Sequence, residues 1–203
     1  MKRAGVAIIV SLLLLTASSM DAGAKGRFGI VGGFTSSNIP LKDVSFSRAS
    51  GFTAGIAYNQ PLILGFALQP QLIYSVKSTN ILDVKANLGY LELPVQVQWG
   101  LGLFDIVRAY AFAEPFIGYA LNGRMEGRDN MKSIDMDKVK SRFEYGLGVG
   151  AGVRLFDHVQ VTFKYYWNFE ASDFDDYVGQ AKTRNIHDIG SFNGLVIQAG
   201  IFF

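Results

Sequence analysis

Of the 203 residues in this chain, those with the means to do chemistry gather near its end. His187 stands near Ser172, Asp173, Asp175, Asp176, Asp188 and Ser191, the side-chain types from which a hydrolase builds nucleophile, base and orienting acid. No serine there sits in a nucleophile motif, and Ser191 falls in a stretch that reads as loop, so no catalytic residue is assigned. Glu170, Asp173, Asp175 and Asp176 crowd four carboxylates into seven residues, an oxygen-rich cluster of the kind that holds Ca²⁺. The glycine and spacing of an EF-hand are missing, which leaves a solvated loop as the plainer reading. Asp135 and Asp137 make a weaker case of the same kind. His158 follows Phe156-Asp157 in a tight turn and reads as a surface residue. Cysteine is absent, which removes thiolate nucleophiles, Cys-ligated metals and disulfides. There is no P-loop, GxSxG, HExxH or dinucleotide fingerprint. The chain is therefore expected not to be an enzyme, and to use no metal and no cofactor.

Composition indicates what must hold such loops. Apolar residues make up 49% of the chain and charged residues only 18%, with 23 glycines. That excludes a disordered chain. A net charge of +2 leaves no electrostatic footprint for nucleic acid. Lys2 and Arg3 precede an apolar run from Ala4 to Leu15, and Ala22-Gly23-Ala24 supplies small residues for a peptidase. Residues 1–24 thus read as a secretory signal peptide, cleaved near Ala24. A dozen apolar residues at 1.5 Å each cover about 18 Å, too little for a membrane-spanning helix. No later window reaches eighteen uninterrupted apolar residues. If residues 25–203 cross a membrane, only a closed barrel remains.

Those residues read with period two, in segments 27–35, 52–59, 66–77, 88–101, 107–121, 144–155, 159–168 and 194–203. In 144–155, Tyr145, Leu147, Val149, Ala151, Val153 and Leu155 share one face. Glu144, Gly146, Gly148, Gly150, Gly152 and Arg154 share the other. The apolar faces carry no charge. The better segments run 10 to 14 residues, long for soluble sheets but suited to tilted membrane strands. Connections at 36–51, 78–87, 122–143 and 169–193 alternate with short ones at 60–65, 102–106 and 156–158. That is the rhythm of long outer loops and tight periplasmic turns. Tyr58 and Trp99 near the inner strand ends, and Phe34, Tyr74, Tyr119 and Trp167 near the outer ends, suit the two water–lipid interfaces. The expected fold is all-β, an eight-stranded antiparallel up-and-down transmembrane β-barrel with both termini in the periplasm.

The chain resembles the small PorT-like, porin-family outer-membrane β-barrel proteins of Gram-negative envelopes. The residues that carry the likeness are the Gly-rich strand Tyr145 to Arg154, the segment Tyr90-Leu-Glu-Leu-Pro-Val95, and the final aromatic Phe203. The resemblance implies an outer-membrane location, and Phe203 looks like the signal that barrel-assembly machinery reads. It is specific for architecture and weak for activity.

An eight-stranded barrel is about wide enough for side chains to fill. The inward face would carry Lys77, Glu92, Arg108, Glu114, Glu144, Arg154 and Lys164. Unpaired charge in such a place is costly, so these are expected to pair with one another in an internal salt-bridge and hydrogen-bond network, extended by Gln69, Gln71, Gln96, Gln98 and Gln198. The same charges lining a narrow conduction path is the alternative, which the small diameter disfavours. Tyr110, Phe112 and Phe116 would lie over the glycine stripe. The expected role is a non-enzymatic barrel that presents four loops outward for surface interaction or envelope integrity. The alternatives are a small passive channel, a subunit of an envelope secretion or transport assembly, and a lipid-modifying enzyme using His187. Expected partners are outer-membrane lipid including lipopolysaccharide, the assembly machinery, and an envelope protein; Arg124, Arg128, Lys132, Lys138 and Lys140 could meet lipopolysaccharide, but with Asp and Glu interspersed a mixed-charge solvated loop is the plainer reading.

Overall fold

Alternating apolar and polar side chains on β-branched and aromatic-rich segments favour strands, and nine form among the described residues. The computed structural model describes residues 25–38, 49–81, 84–103, 106–126, 131–133, 142–170 and 193–203. The strands are β1 (Arg27–Asn38), β2 (Ala49–Pro61), β3 (Phe66–Ile81), β4 (Val84–Leu103), β5 (Val107–Glu126), β6 (Met131–Ser133), β7 (Phe143–Leu155), β8 (Val159–Glu170) and β9 (Asn193–Phe202). Eight of them make the barrel, each antiparallel to its neighbours. β1 closes on β9 through pairs such as Ile30↔Ile201, and β4 joins β5 through pairs such as Leu93↔Ile117. β6 is a short flap on β5, with Met125 opposite Lys132. Strand ends, both described chain ends and the turns at 62–65 and 156–158 lie together, opposite the loop end.

Burial is inverted relative to a soluble protein. Phe28 is 65% exposed and Ile30 61%, while Gln69, Gln96 and Gln98 are each 0% exposed. The apolar face of every strand therefore points out of the barrel, and the polar face fills it.

Strands at the loop end run past the expected boundaries. β3 has 16 residues, and β4 and β5 have 20 each. The expected long connection at 78–87 is instead a continued hairpin, paired from Ser78↔Asn87 to Ile81↔Val84. β5 likewise continues through 122–126 against 85–89. The cause is physical: beyond the lipid nothing selects an apolar face, yet the ladder hydrogen bonds still form. Two β-bulges adjust the register there. Leu121 is the extra residue opposite Gly89/Tyr90, and Phe169 is the extra residue opposite Tyr145/Gly146.

Candidate functional site

The pleat sends alternate residues inward, and register decides which of them meet. All seven charges singled out from the sequence point into the barrel, at three levels.

Nearest the loops, the Lys77 ammonium lies 2.6 Å from Glu144 Oε1 and 2.9 Å from Glu92 Oε1. Asn168 Nδ2 donates to Glu144 Oε2 at 2.7 Å. Three rings face the same ammonium, with centroids at 4.8 Å (Tyr90), 5.4 Å (Tyr166) and 5.6 Å (Phe116). At mid-height Lys164 pairs with Glu114 Oε1. Gln96 Nε2 donates to Glu114 Oε2 at 2.7 Å.

Nearest the turns stand the two arginines, and here the ion-pair part of the expectation is corrected while the hydrogen bonds to Gln69 and Gln98 are found. Neither makes an ion pair with a carboxylate inside the barrel among the described residues. Arg154 donates to Asn59 Oδ1 at 2.7 Å, Gln160 Oε1 at 2.8 Å and Gln69 Oε1 at 3.1 Å. Its guanidinium also faces the Phe202 ring at 5.1 Å. Arg108 donates to the Gly65 carbonyl at 2.8 Å and to Gln98 Oε1 at 3.3 Å. A planar fork with five N–H donors can be met by several neutral oxygens, and the amides supply them to the terminal nitrogens of Arg154, whose buried Nε has no partner among the described residues. Gln98 then donates to Gln96 Oε1 at 2.9 Å, which links the arginine level to the Glu114 level.

Rings over glycines complete the filling. Tyr110, Phe112 and Phe116 stand opposite Gly152, Gly150 and Gly146 in the β5–β7 register. A Cβ on Gly152 would come within 2.6 Å of Tyr110 Cζ, and one on Gly150 within 2.7 Å of Phe112 Cζ. Between the two lysine levels a cavity of about 20 Å³ remains, lined by Thr35, Thr53, Ser75, Lys77, Lys164 and Gln198 among others. That is room for about one water.

Three members of this interior escaped the sequence reading as binding partners: Asn59, Gln160 and Asn168. Strand parity places each on the inward face, which is the signal available for them. Ile73, Val31 and Phe202 were also missed as an inward apolar cluster with Ala57.

His158 lies exposed in the last turn, its Nδ1 against the Phe156 carbonyl. His187, Ser172, Asp173, Asp175, Asp176, Asp188, Ser191, Asp135, Asp137, Arg128, Lys138 and Lys140 lie outside the described residues. So do residues 1–24, and so do the side chains of Arg124, Lys132 and Glu170. Among the described residues no group of three His, Cys, Asp or Glu side chains could hold a metal ion.

At the turn end, Arg27 Nη2 lies 3.5 Å from Asp157 Oδ2, with the side chains 33% and 63% exposed. Arg27 Nη1 also donates to the Asp157 carbonyl at 2.8 Å. Asp157→Asn should therefore change unfolding free energy, read from urea titration in lipid vesicles, by less than about 1 kcal/mol. A larger loss would mean that this exposed pair is shielded from solvent.

The profile of a family described as outer membrane protein beta-barrel domain matches residues 18–173. No curated protein matches the chain. Neisserial surface protein A is 11% identical in its solved structure, with 89% of this chain and 99% of that one covered and a TM-score of 0.53. Ail, the attachment invasion locus protein of Yersinia pestis, is 12% identical over 88% of this chain and 99% of that one, with a TM-score of 0.47. The outer membrane enzyme PagL is 10% identical over 87% and 99%, with a TM-score of 0.44. At such identities the likeness concerns the fold alone.

Proposed function

The chain belongs to the outer membrane protein beta-barrel domain family, and on that premise we propose that it is a non-conducting, non-enzymatic barrel that holds loops outward for surface interaction or envelope integrity. The observation that carries this reading is the filled interior. Each buried carboxylate among the described residues is engaged, Glu92 and Glu144 by Lys77 and Glu114 by Lys164. The amide network and the rings over glycine pack around these pairs. A barrel filled in this way is a scaffold, and its recognition chemistry belongs to the connecting segments 39–48, 127–130, 134–141 and 171–192. Residues 1–24 serve in this reading as the export signal, Phe203 as the assembly signal, and lipopolysaccharide as the lipid around the loop end.

Planar-bilayer recording tests the first half. The folded protein should give no discrete conductance steps; regular steps would replace this reading by a passive channel. The second half has its own check. Lipopolysaccharide and phospholipid incubated with the folded protein should be recovered unchanged. Fatty-acid release that stops on His187→Ala would put a hydrolase in its place. A second reading, a barrel subunit of an envelope secretion or transport assembly, rests on the PorT-like resemblance of Tyr145 to Arg154 and Tyr90 to Val95. Its mark would be stoichiometric co-purification with other envelope proteins after gentle membrane solubilisation.

A further inference from the structure

Tight turns that face water are built from Gly, Asn, Asp and Ser, because those residues accept left-handed backbone and bind solvent. The turns of this barrel keep one such residue each, Gly65 at φ +79° and Asp157 at φ +57°, but set large apolar side chains beside it. In the first, Ile63 is 78% exposed and Leu64 83%. Leu64 even takes the left-handed conformation, with φ +57°, where an apolar γ-branched side chain is unusual. In the last turn Phe156, also left-handed at φ +50°, is 64% exposed. Ile106 is half exposed beside the middle turn.

These side chains continue the lipid-facing band without a break. Beyond Trp99 the outer face of β4 goes on as Leu101 and Leu103, both at least half exposed. The outer face of β8 is apolar from Val159, its first residue. No polar margin separates band from turns on these strands, although the outer face of β1 turns polar at Ser36 toward the loop end. Lys25 lies at the same end, and a long basic side chain there can reach lipid phosphates while its stem stays on apolar surface.

We propose that the turn end of the barrel is seated in the headgroup boundary of the inner leaflet, with Ile63, Leu64, Ile106 and Phe156 in contact with phospholipid. The barrel thereby fixes its depth in the bilayer from below and leaves the extended β3–β5 strands standing clear above. Continuity with the lipid band favours phospholipid over a periplasmic protein as the occupant. This holds whether or not the interior conducts.

Single-tryptophan proteins test it in vesicles of phosphatidylethanolamine and phosphatidylglycerol, with and without brominated acyl chains. Trp99→Phe leaves Trp167 alone as the reporter of insertion. Trp99→Phe/Trp167→Phe then carries either Ile63→Trp or Phe156→Trp, so that one misfolding variant does not decide the matter. The new tryptophans should emit at blue-shifted wavelengths, resist acrylamide, and lose at least about half as much emission to brominated lipid as Trp167 does. Water-like emission and free acrylamide quenching at both turns, with Trp167 still quenched by lipid, would overturn the proposal and leave the apolar rim to a protein. Loss of quenching at Trp167 itself would overturn the membrane placement and the proposal with it.

Discussion

Glu114→Gln should lower the unfolding free energy of the barrel by about 3–5 kcal/mol, because it leaves the Lys164 ammonium buried without its counter-charge. Glu114 is 1% exposed, and its two oxygens are taken by Lys164 and Gln96. The amide is nearly the same shape as the carboxylate, and its carbonyl can still accept from Gln96. The change thus removes charge and little else. Urea unfolding in lipid vesicles, followed by tryptophan emission, gives the number. Adding Lys164→Met should recover most of the loss, since an absent pair costs far less than a broken one. A loss below about 1 kcal/mol for Glu114→Gln alone would mean that water reaches Lys164 and screens it, as it does for exposed pairs. That result would argue for a wet conduction path and against a filled interior. One variant thus separates the two readings of the same charges.

The sequence made the faces of the strands legible, but not the heights at which side chains meet. A pleat has period two, so Gln69, Gln96, Glu114 and Arg154 declare themselves inward by parity alone. Height depends on register, which accumulates around the ring through turns and bulges. Arg154 on β7 meets Asn59 on β2, 95 residues away and across the barrel. No local pattern announces that contact, so the arginines looked like candidates for ion pairing. Strand ends were hidden for a different reason. Lipid writes an apolar face into the sequence only where it touches, so 78–81 and 84–87 read as loop although they pair residue by residue. The glycine stripe was legible together with its covering rings, because Tyr110, Phe112 and Phe116 share parity with it on the adjoining strand. The chemistry nominated around His187 sits where periodicity carries no information at all.

That stripe yields a contrast between two glycines on one face of one strand. Gly150→Ala should destabilise by about 1–3 kcal/mol, the cost of overpacking a filled interior. Its Cβ would lie 2.7 Å from Phe112 Cζ and 2.9 Å from Lys164 Cα, and closer still to the Phe163 carbonyl oxygen. A ring can tilt away, but backbone of the neighbouring strand moves only if the barrel widens. Gly148→Ala, one pleat repeat away, should be neutral or stabilise by up to about 1 kcal/mol, because alanine restricts the unfolded chain. Its Cβ would rest 3.6 Å from Glu114 Cβ and from the Glu114 and Tyr165 carbonyl oxygens, which is ordinary contact. Intrinsic strand preference would treat the two positions alike, so it cannot produce a difference between them. Urea titrations of the two variants under identical lipid conditions should therefore diverge by more than about 1 kcal/mol if glycine at 150 is there for the ring and backbone beside it. Equal effects would mean that the stripe only eases curvature and that the rings do not press on it. The second outcome would also weaken the filled-interior reading, since rings free to move aside leave room that the ion pairs alone do not occupy.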